Sequence, residues 1–206
     1  MIERAALTIG FDLDMTLIDS RPGIKAVYDF LAAETGAVID SDLAVGRLGP
    51  PVEQELVHWF PASDVPAMAD RYRALYREHG VAGCLALPGA REALAAVQKH
   101  GGRSIVVTGK FTPNARRNLD ALDLVADALH GSVFGTEKGT VLREEGATIY
   151  VGDHLGDIIG ARTGGALAVA VATGPYDAEA LSEAGADVVL PDLTVFPDWL
   201  DSYLVP

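Results

Sequence analysis

Two acids, Asp12 and Asp14, stand on alternate positions in Phe11-Asp12-Leu13-Asp14-Met15-Thr16, directly after the apolar run Ala5 to Gly10. Carboxylates at the end of a buried strand are costly to desolvate and survive there when a cation or a reacting group compensates them. Three further polar elements close or follow apolar runs. Thr108 closes Ile105-Val106-Val107, Lys138 follows the run at 129–134, and Gly152-Asp153-His154-Leu155-Gly156-Asp157 follows the run at 148–152. Such a set of carboxylates, a hydroxyl and an ammonium suits phosphoryl transfer through a covalent aspartyl phosphate. A carboxylate such as Asp12 can attack phosphorus, and a neighbour such as Asp14 can protonate the leaving oxygen and then deprotonate the attacking water. Thr108 and Lys138 can donate to phosphoryl oxygens. A hard cation such as Mg²⁺ relieves the repulsion within a carboxylate cluster.

These residues need a scaffold that gathers their loops. Apolar runs at 6–13, 103–108, 129–134, 148–152, 167–172 and 187–190 read as buried parallel strands. Helical spacing at 90–100, 112–124, 155–164 and 177–184 alternates with them. Strands and helices in alternation imply a parallel sheet with crossover helices, whose strand carboxyl ends share one edge. From about Gly23 to Cys84 no strand pattern occurs, and 22–36, 51–60 and 64–79 read as helices. The expected organisation is an α/β Rossmann-like core formed by 1–19 and 88–206, with an inserted helical cap at 20–87. Turn residues at Ser20-Arg21-Pro22-Gly23 and Leu87-Pro88-Gly89 mark its edges, as two linkers able to hinge. A short C-terminal helix is expected within 194–204.

Composition narrows the function further. In 206 residues, acids outnumber bases 29 to 16, for a formal net charge of −13. That balance argues against a general nucleic-acid or membrane-surface binder. No apolar run is long enough for a membrane span and the N-terminus lacks a signal-peptide pattern, so a cytoplasmic protein is expected. The single cysteine, Cys84, lies among small and apolar residues and reads as a buried hydrophobe.

With these motifs in order, the chain resembles a haloacid-dehalogenase-superfamily phosphatase, in the branch of phosphoglycolate phosphatase and β-phosphoglucomutase. The resemblance implies that Asp12 is the nucleophile and Asp14 the general acid/base. It implies that Thr108 and Lys138 supply the second and third motifs. Asp153 and Asp157 match a GDxxxD motif that binds Mg²⁺, joined by Asp12 and by the backbone carbonyl of Asp14. The segment 20–87 resembles the family's helical cap. A second acid at Asp14 argues against carbon–halogen cleavage, since the dehalogenases lack it. Three departures stand out. Met15 replaces the usual Gly, Gly139 follows Lys138 where Pro is common, and the stretch 138–153 is short, with no helix expected in it.

Other residues carry two readings. Arg47, in Gly46-Arg47-Leu48-Gly49-Pro50-Pro51, either grips an anionic group on the untransferred part of the substrate or is a solvated arginine. Lys110 is read as facing substrate, against the alternative of a surface lysine at a helix start, and Gly109 as letting backbone approach a phosphate. His154 reads as a loop residue beside the metal site. His58, His79, His100 and His130 read as ordinary surface or helix-end residues. Asp19 and Ser20 suit hinge or cap duty, Trp59-Phe60 and Trp199 with Tyr203 read as packing aromatics, and Glu53/Glu55 and Glu144/Glu145 as solvated faces. The expected activity is Mg²⁺-dependent hydrolysis of a small phosphate monoester by a monomer or homodimer. A β-phosphoglucomutase-like phosphomutase and a non-catalytic phosphate-binding or signalling protein are the alternatives.

Overall fold

The computed structural model describes residues 7–205. Six parallel strands form one sheet in the order β5-β4-β1-β6-β7-β8. They are β1 (Thr8–Phe11), β4 (Arg103–Val107), β5 (Ala128–His130), β6 (Ile149–Gly152), β7 (Leu167–Val171) and β8 (Val188–Leu190). Two short strands, β2 (Ile18–Asp19) and β3 (Leu85–Ala86), pair antiparallel in a separate ribbon. The two linkers of the helical segment are thus hydrogen-bonded to each other, and Leu87 N–H also donates to the Leu17 carbonyl.

Alternation along the buried strands sends side chains to opposite faces. On one face, Ile9, Phe11, Val106 and Val151 pack with α5 (Ala90–Lys99), α6 (Thr112–Ala121) and α10 (Phe196–Leu204). On the other, Ile105, Val107, Tyr150, Ala168 and Ala170 pack with α7 (Thr136–Glu144), α8 (Leu155–Gly164) and α9 (Ala178–Glu183). β1 lies between β4 and β6, so the chain order reverses about it and its carboxyl end opens on the crevice where such sheets bind ligands.

Between β2 and β3 the chain is helical: α1 (Arg21–Thr35), α2 (Ser41–Val45), α3 (Val52–Leu56), α4 (Val65–Leu75) and a π turn at Tyr76–Gly80 that continues α4. Helix α2 has no counterpart in the sequence reading. Its five residues bury only Ser41 and Ala44, too few for a periodic signal, and its N-cap Asp40 accepts from Leu43 N–H.

Two expectations are corrected here. The strand expected over 129–134 ends at His130, because edge strand β5 pairs only with β4 and the chain turns through Ser132 at φ 60°. The stretch 138–153 does contain a helix, α7, and Lys138 lies on it rather than in a loop. Its one glycine, Gly139, and the β-branched Thr136, Thr140 and Val141 mask its helical periodicity, and packing supplies what propensity lacks. A Cβ on Gly139 would lie 2.6 Å from Cβ of Thr163, and one on Gly160 would lie 2.7 Å from Cβ of Lys138. Gly139 thus serves close packing of α7 on α8. The strand expected from residue 6 begins outside the described residues; within them, β1 is the shorter Thr8–Phe11.

Candidate active site

The four polar elements meet at the carboxyl edge of the sheet. Asp12 follows β1 directly and its N–H donates to the Val151 carbonyl at 2.8 Å, which locks it to β6. Thr108 follows β4, is buried, and donates its N–H to the His130 carbonyl. Asp153 and Asp157 flank the start of α8. There His154 caps the helix by accepting Gly156 N–H at Nδ1, while Asp157 accepts His154 N–H at 3.0 Å. Both ring and carboxylate are held by the same turn, which accounts for His154 structurally; burial lowers its pKa.

Lys138 is the hub. Its ammonium donates to Asp12 Oδ1 at 2.9 Å, to Asp157 Oδ1 at 2.6 Å and to Tyr150 Oη at 2.9 Å, with the side chain only 2% exposed. Burial alone would pull its pKa down, but the charges of Asp12 and Asp157 outweigh that and hold it above the ordinary lysine value. Burial pushes the Asp12 carboxyl up to about 6 against the pull of Lys138, with Asp157 and Asp14 adding to the rise. Asp153, buried beside Asp157 and Asp12, is raised well above the carboxylate range, although Thr16 Oγ1 donates to its Oδ1 at 2.7 Å.

Asp12, Asp153 and Asp157 bring carboxylate oxygens within 4.8 Å of one another. Three carboxylates face one ammonium, so the fully ionised cluster carries an excess of two negative charges. Oxygen donors with that deficit are the chemistry a hard divalent cation takes. The residues present therefore fit such an ion.

Asp14 points elsewhere. Its Oδ1 accepts from Lys110 Nζ at 2.8 Å, and that ammonium lies 4.3 Å from the centre of the Tyr76 ring. Lys110 is 7% exposed and thus a buried partner of Asp14 rather than a surface lysine. Asp14 borders a cavity of about 420 Å³ between the sheet edge and the helical segment, which Arg47, Gly109 and Lys110 also line. A Cβ on Gly109 would sit 2.9 Å from the Gly49 carbonyl, so glycine here lets the 46–51 loop close on the core. Met15, where a glycine was expected, does adopt a left-handed backbone at φ 60°. Its carbonyl accepts from Thr173 Oγ1, and its side chain is buried. Burial of a methionine, worth about 1.5–3 kcal/mol, offsets the roughly 1–2 kcal/mol that the left-handed conformation costs.

Residues 9–162 match the model of haloacid dehalogenase-like hydrolases, and 138–196 match a second model, HAD-hydrolase-like. The chain belongs to the haloacid dehalogenase-like hydrolases. Phosphoglycolate phosphatase of Caulobacter vibrioides is 26% identical over 214 residues, covering 89% of this chain and 86% of its own. Tyrosine-protein kinase PtkA of Mycobacterium tuberculosis is 30% identical over 200 residues, covering 90% and 68%. A predicted phosphatase from Clostridium acetobutylicum has the same fold, with a TM-score of 0.83 at 22% identity over 97% of this chain and 100% of that one. A haloacid dehalogenase-like family hydrolase from Streptococcus pneumoniae superposes with a TM-score of 0.81 at 22% identity, covering 97% and 99%. Among the described residues of this haloacid dehalogenase-like hydrolase, no helix is long and apolar enough to cross a membrane.

Two features of the hydrolase's site were not foreseen. Tyr150 donates its hydroxyl to the Val107 carbonyl at 2.6 Å while accepting from Lys138, so it fixes the ammonium laterally. A signal existed: Tyr150 is the polar-tipped member of Ile149-Tyr150-Val151-Gly152. Its register partner on β1 is Gly10, where a Cβ would lie 2.7 Å from the Tyr150 ring. Tyr150→Phe is expected to lower stability by about 1–3 kcal/mol, because the Val107 carbonyl and one Lys138 proton lose their partner. Urea denaturation of wild type and variant checks this.

The second is a correction. Glu53 and Glu55, read as a solvated face, each hold an arginine on the cavity wall. Glu55 takes Arg47 through two contacts, 2.6 and 3.1 Å, and also accepts Trp59 Nε1 at 3.0 Å. Glu53 pairs with Arg73. Likewise Glu145 is no bare solvated acid, accepting from Arg103 and bonding His130. Local spacing does not show Arg73 or Arg103 as partners, since they come from elements 20 and 42 positions away from the acids they hold.

Proposed function

We propose that this hydrolase is a Mg²⁺-dependent phosphatase that cleaves a small phosphate monoester through an aspartyl-phosphate intermediate, with 20–87 acting as a cap over a core of 1–19 and 88–206. The observation that carries the reading is the buried cluster itself: Asp12 held by Lys138 beside two further carboxylates, with Asp14 facing a cavity next to it. The similarity to phosphoglycolate phosphatase supports phosphate ester hydrolysis.

In the first step an Asp12 carboxylate oxygen bonds to phosphorus as the ester P–O bond breaks, and Asp14 gives its proton to the departing alcohol. In the second, water attacks phosphorus and passes a proton to Asp14. The P–O bond to Asp12 breaks and inorganic phosphate leaves. Lys138 and Thr108 hold the phosphoryl oxygens during both steps, and Lys138 keeps Asp12 aimed. Lys110 positions the Asp14 carboxyl, and Tyr150 positions Lys138. Asp153, Asp157, Asp12 and the Asp14 carbonyl would hold Mg²⁺, which when bound neutralises charge on the phosphoryl group.

Phosphate release from a panel of monoesters, followed with Mg²⁺ and with excess EDTA, tests the reading. Release is expected with Mg²⁺ and to fall at least about 100-fold on chelation, since charge stabilisation by such an ion is worth several kcal/mol. Release that EDTA leaves unchanged would remove the metal from the proposal, and release from no ester would end it.

A further inference from the structure

The cavity beside Asp14 is where the alcohol leaving the phosphate must sit, and its wall is peculiar in one respect. Each cation there is already paired. Arg47 is held by Glu55 in a two-point contact, Lys110 by Asp14 at 2.8 Å, and Arg73 by Glu53. Apart from the Asp14–Lys110 pair, whose acid carries the proton of the reaction, the two acids Glu53 and Glu55 balance the two bases Arg47 and Arg73. Glu55 is doubly anchored, because Trp59 Nε1 also donates to it, and its side chain is only 13% exposed.

A negatively charged leaving group would have to displace one of these carboxylates or lie against it. Prying Glu55 from Arg47 exposes a carboxylate that a planar guanidinium fork had satisfied. Asp14 cannot be displaced either, since it carries the proton of the reaction. Four aromatic rings also line the cavity, beside aliphatic Ile24, Leu48 and Val52 and the neutral amides Gln54 and Asn114: Tyr28 and Tyr72 pack with ring centres 5.0 Å apart, and Tyr76 and Phe111 lie beneath Lys110 and Arg73. Ring faces cover apolar or hydroxylated rings well and do nothing for a carboxylate.

Size points the same way. A volume of about 420 Å³ falls within the range of roughly 300–1,000 Å³ found for pockets that enclose drug-sized molecules. A two-carbon acid would leave most of it to water.

We infer that the substrate is a phosphate monoester of an uncharged, ring-sized alcohol, and that Glu55, by occupying Arg47, excludes esters whose alcohol carries a second negative charge. The inference rests on the hydrolytic reading above.

The test compares kcat/KM for glucose 6-phosphate, adenosine 5′-monophosphate and phosphoglycolate, in wild type and in Glu55→Gln. In wild type the better ring ester is expected to exceed phosphoglycolate at least tenfold. In Glu55→Gln, where Gln keeps an acceptor for Trp59 but frees Arg47, that ratio is expected to fall at least fivefold through a lower KM for phosphoglycolate. Phosphoglycolate equal to or better than both ring esters in wild type overturns the inference while leaving hydrolysis intact. An unchanged ratio in Glu55→Gln overturns the role given to Glu55. Failure of all three esters and of p-nitrophenyl phosphate overturns the hydrolytic reading and this inference with it.

Discussion

Asp12→Asn is expected to cut phosphate release by more than about 10⁴-fold, because removing the group that bonds covalently to the transferred atom costs as much as disabling a whole catalytic unit. The amide nitrogen and oxygen match the carboxylate in size, so the variant isolates chemistry from shape. Its carbonyl oxygen remains an acceptor for Lys138, which bonds Asp12 Oδ1 at 2.9 Å and still has Asp157 at 2.6 Å. Burial already disfavours the Asp12 anion, lifting its pKa to about 6. A neutral amide there relieves desolvation as it loses charge pairing, and folding stability is expected to change by no more than about 1 kcal/mol. Steady-state kinetics in Mg²⁺ buffer together with urea denaturation check both halves. Turnover within tenfold of wild type would move the nucleophile away from Asp12.

Lys138→Met is expected to damage fold and function together. Methionine fills similar volume but brings no charge to a side chain that is 2% exposed among Asp12, Asp157 and Tyr150. Removing one partner of a buried ion pair leaves uncompensated charge and costs about 3–5 kcal/mol. Loss of one donor to the developing phosphoryl charge slows turnover by about 10²–10³-fold. The two effects separate with Mg²⁺: the ion is expected to recover part of the lost stability, since it binds the folded carboxylates, but not the lost turnover. Denaturation curves with Mg²⁺ and with EDTA, set beside kcat, read this directly. Metal-free stability equal to wild type would show that Lys138 does not carry the charge of the cluster.

Much of this site was legible before any coordinates. Asp12, Thr108, Asp153 and Asp157 sit at or just after strand ends, and an acid pair or a GDxxxD motif at that place is visible because strand ends are marked by apolar runs that stop. Lys138 was legible as a residue but not as part of a helix. α7 carries a mid-helix glycine and three β-branched residues and forms because Gly139, with Gly160 on α8, lets the two helices lie close. Lys110 was expected to face substrate. It lines the cavity beside Asp14 and also holds Asp14, a pairing across 96 positions that no local pattern encodes.

By itself, the sequence determined the alternation of elements, the parallel sheet and the acids at its edge. These follow from periodic burial and from the cost of carboxylates in apolar surroundings, and both are local properties of the chain. Only the tertiary structure decided which charges neutralise which. Arg47 meets Glu55 because α3 follows a tight turn, Lys138 meets Asp12 because α7 and α8 pack through glycines, and Tyr150 reaches both Lys138 and Val107 beside the bare Gly10. Coulomb energy and hydrogen bonding depend on distances of a few ångströms, and those distances are set by the packing of elements far apart in sequence.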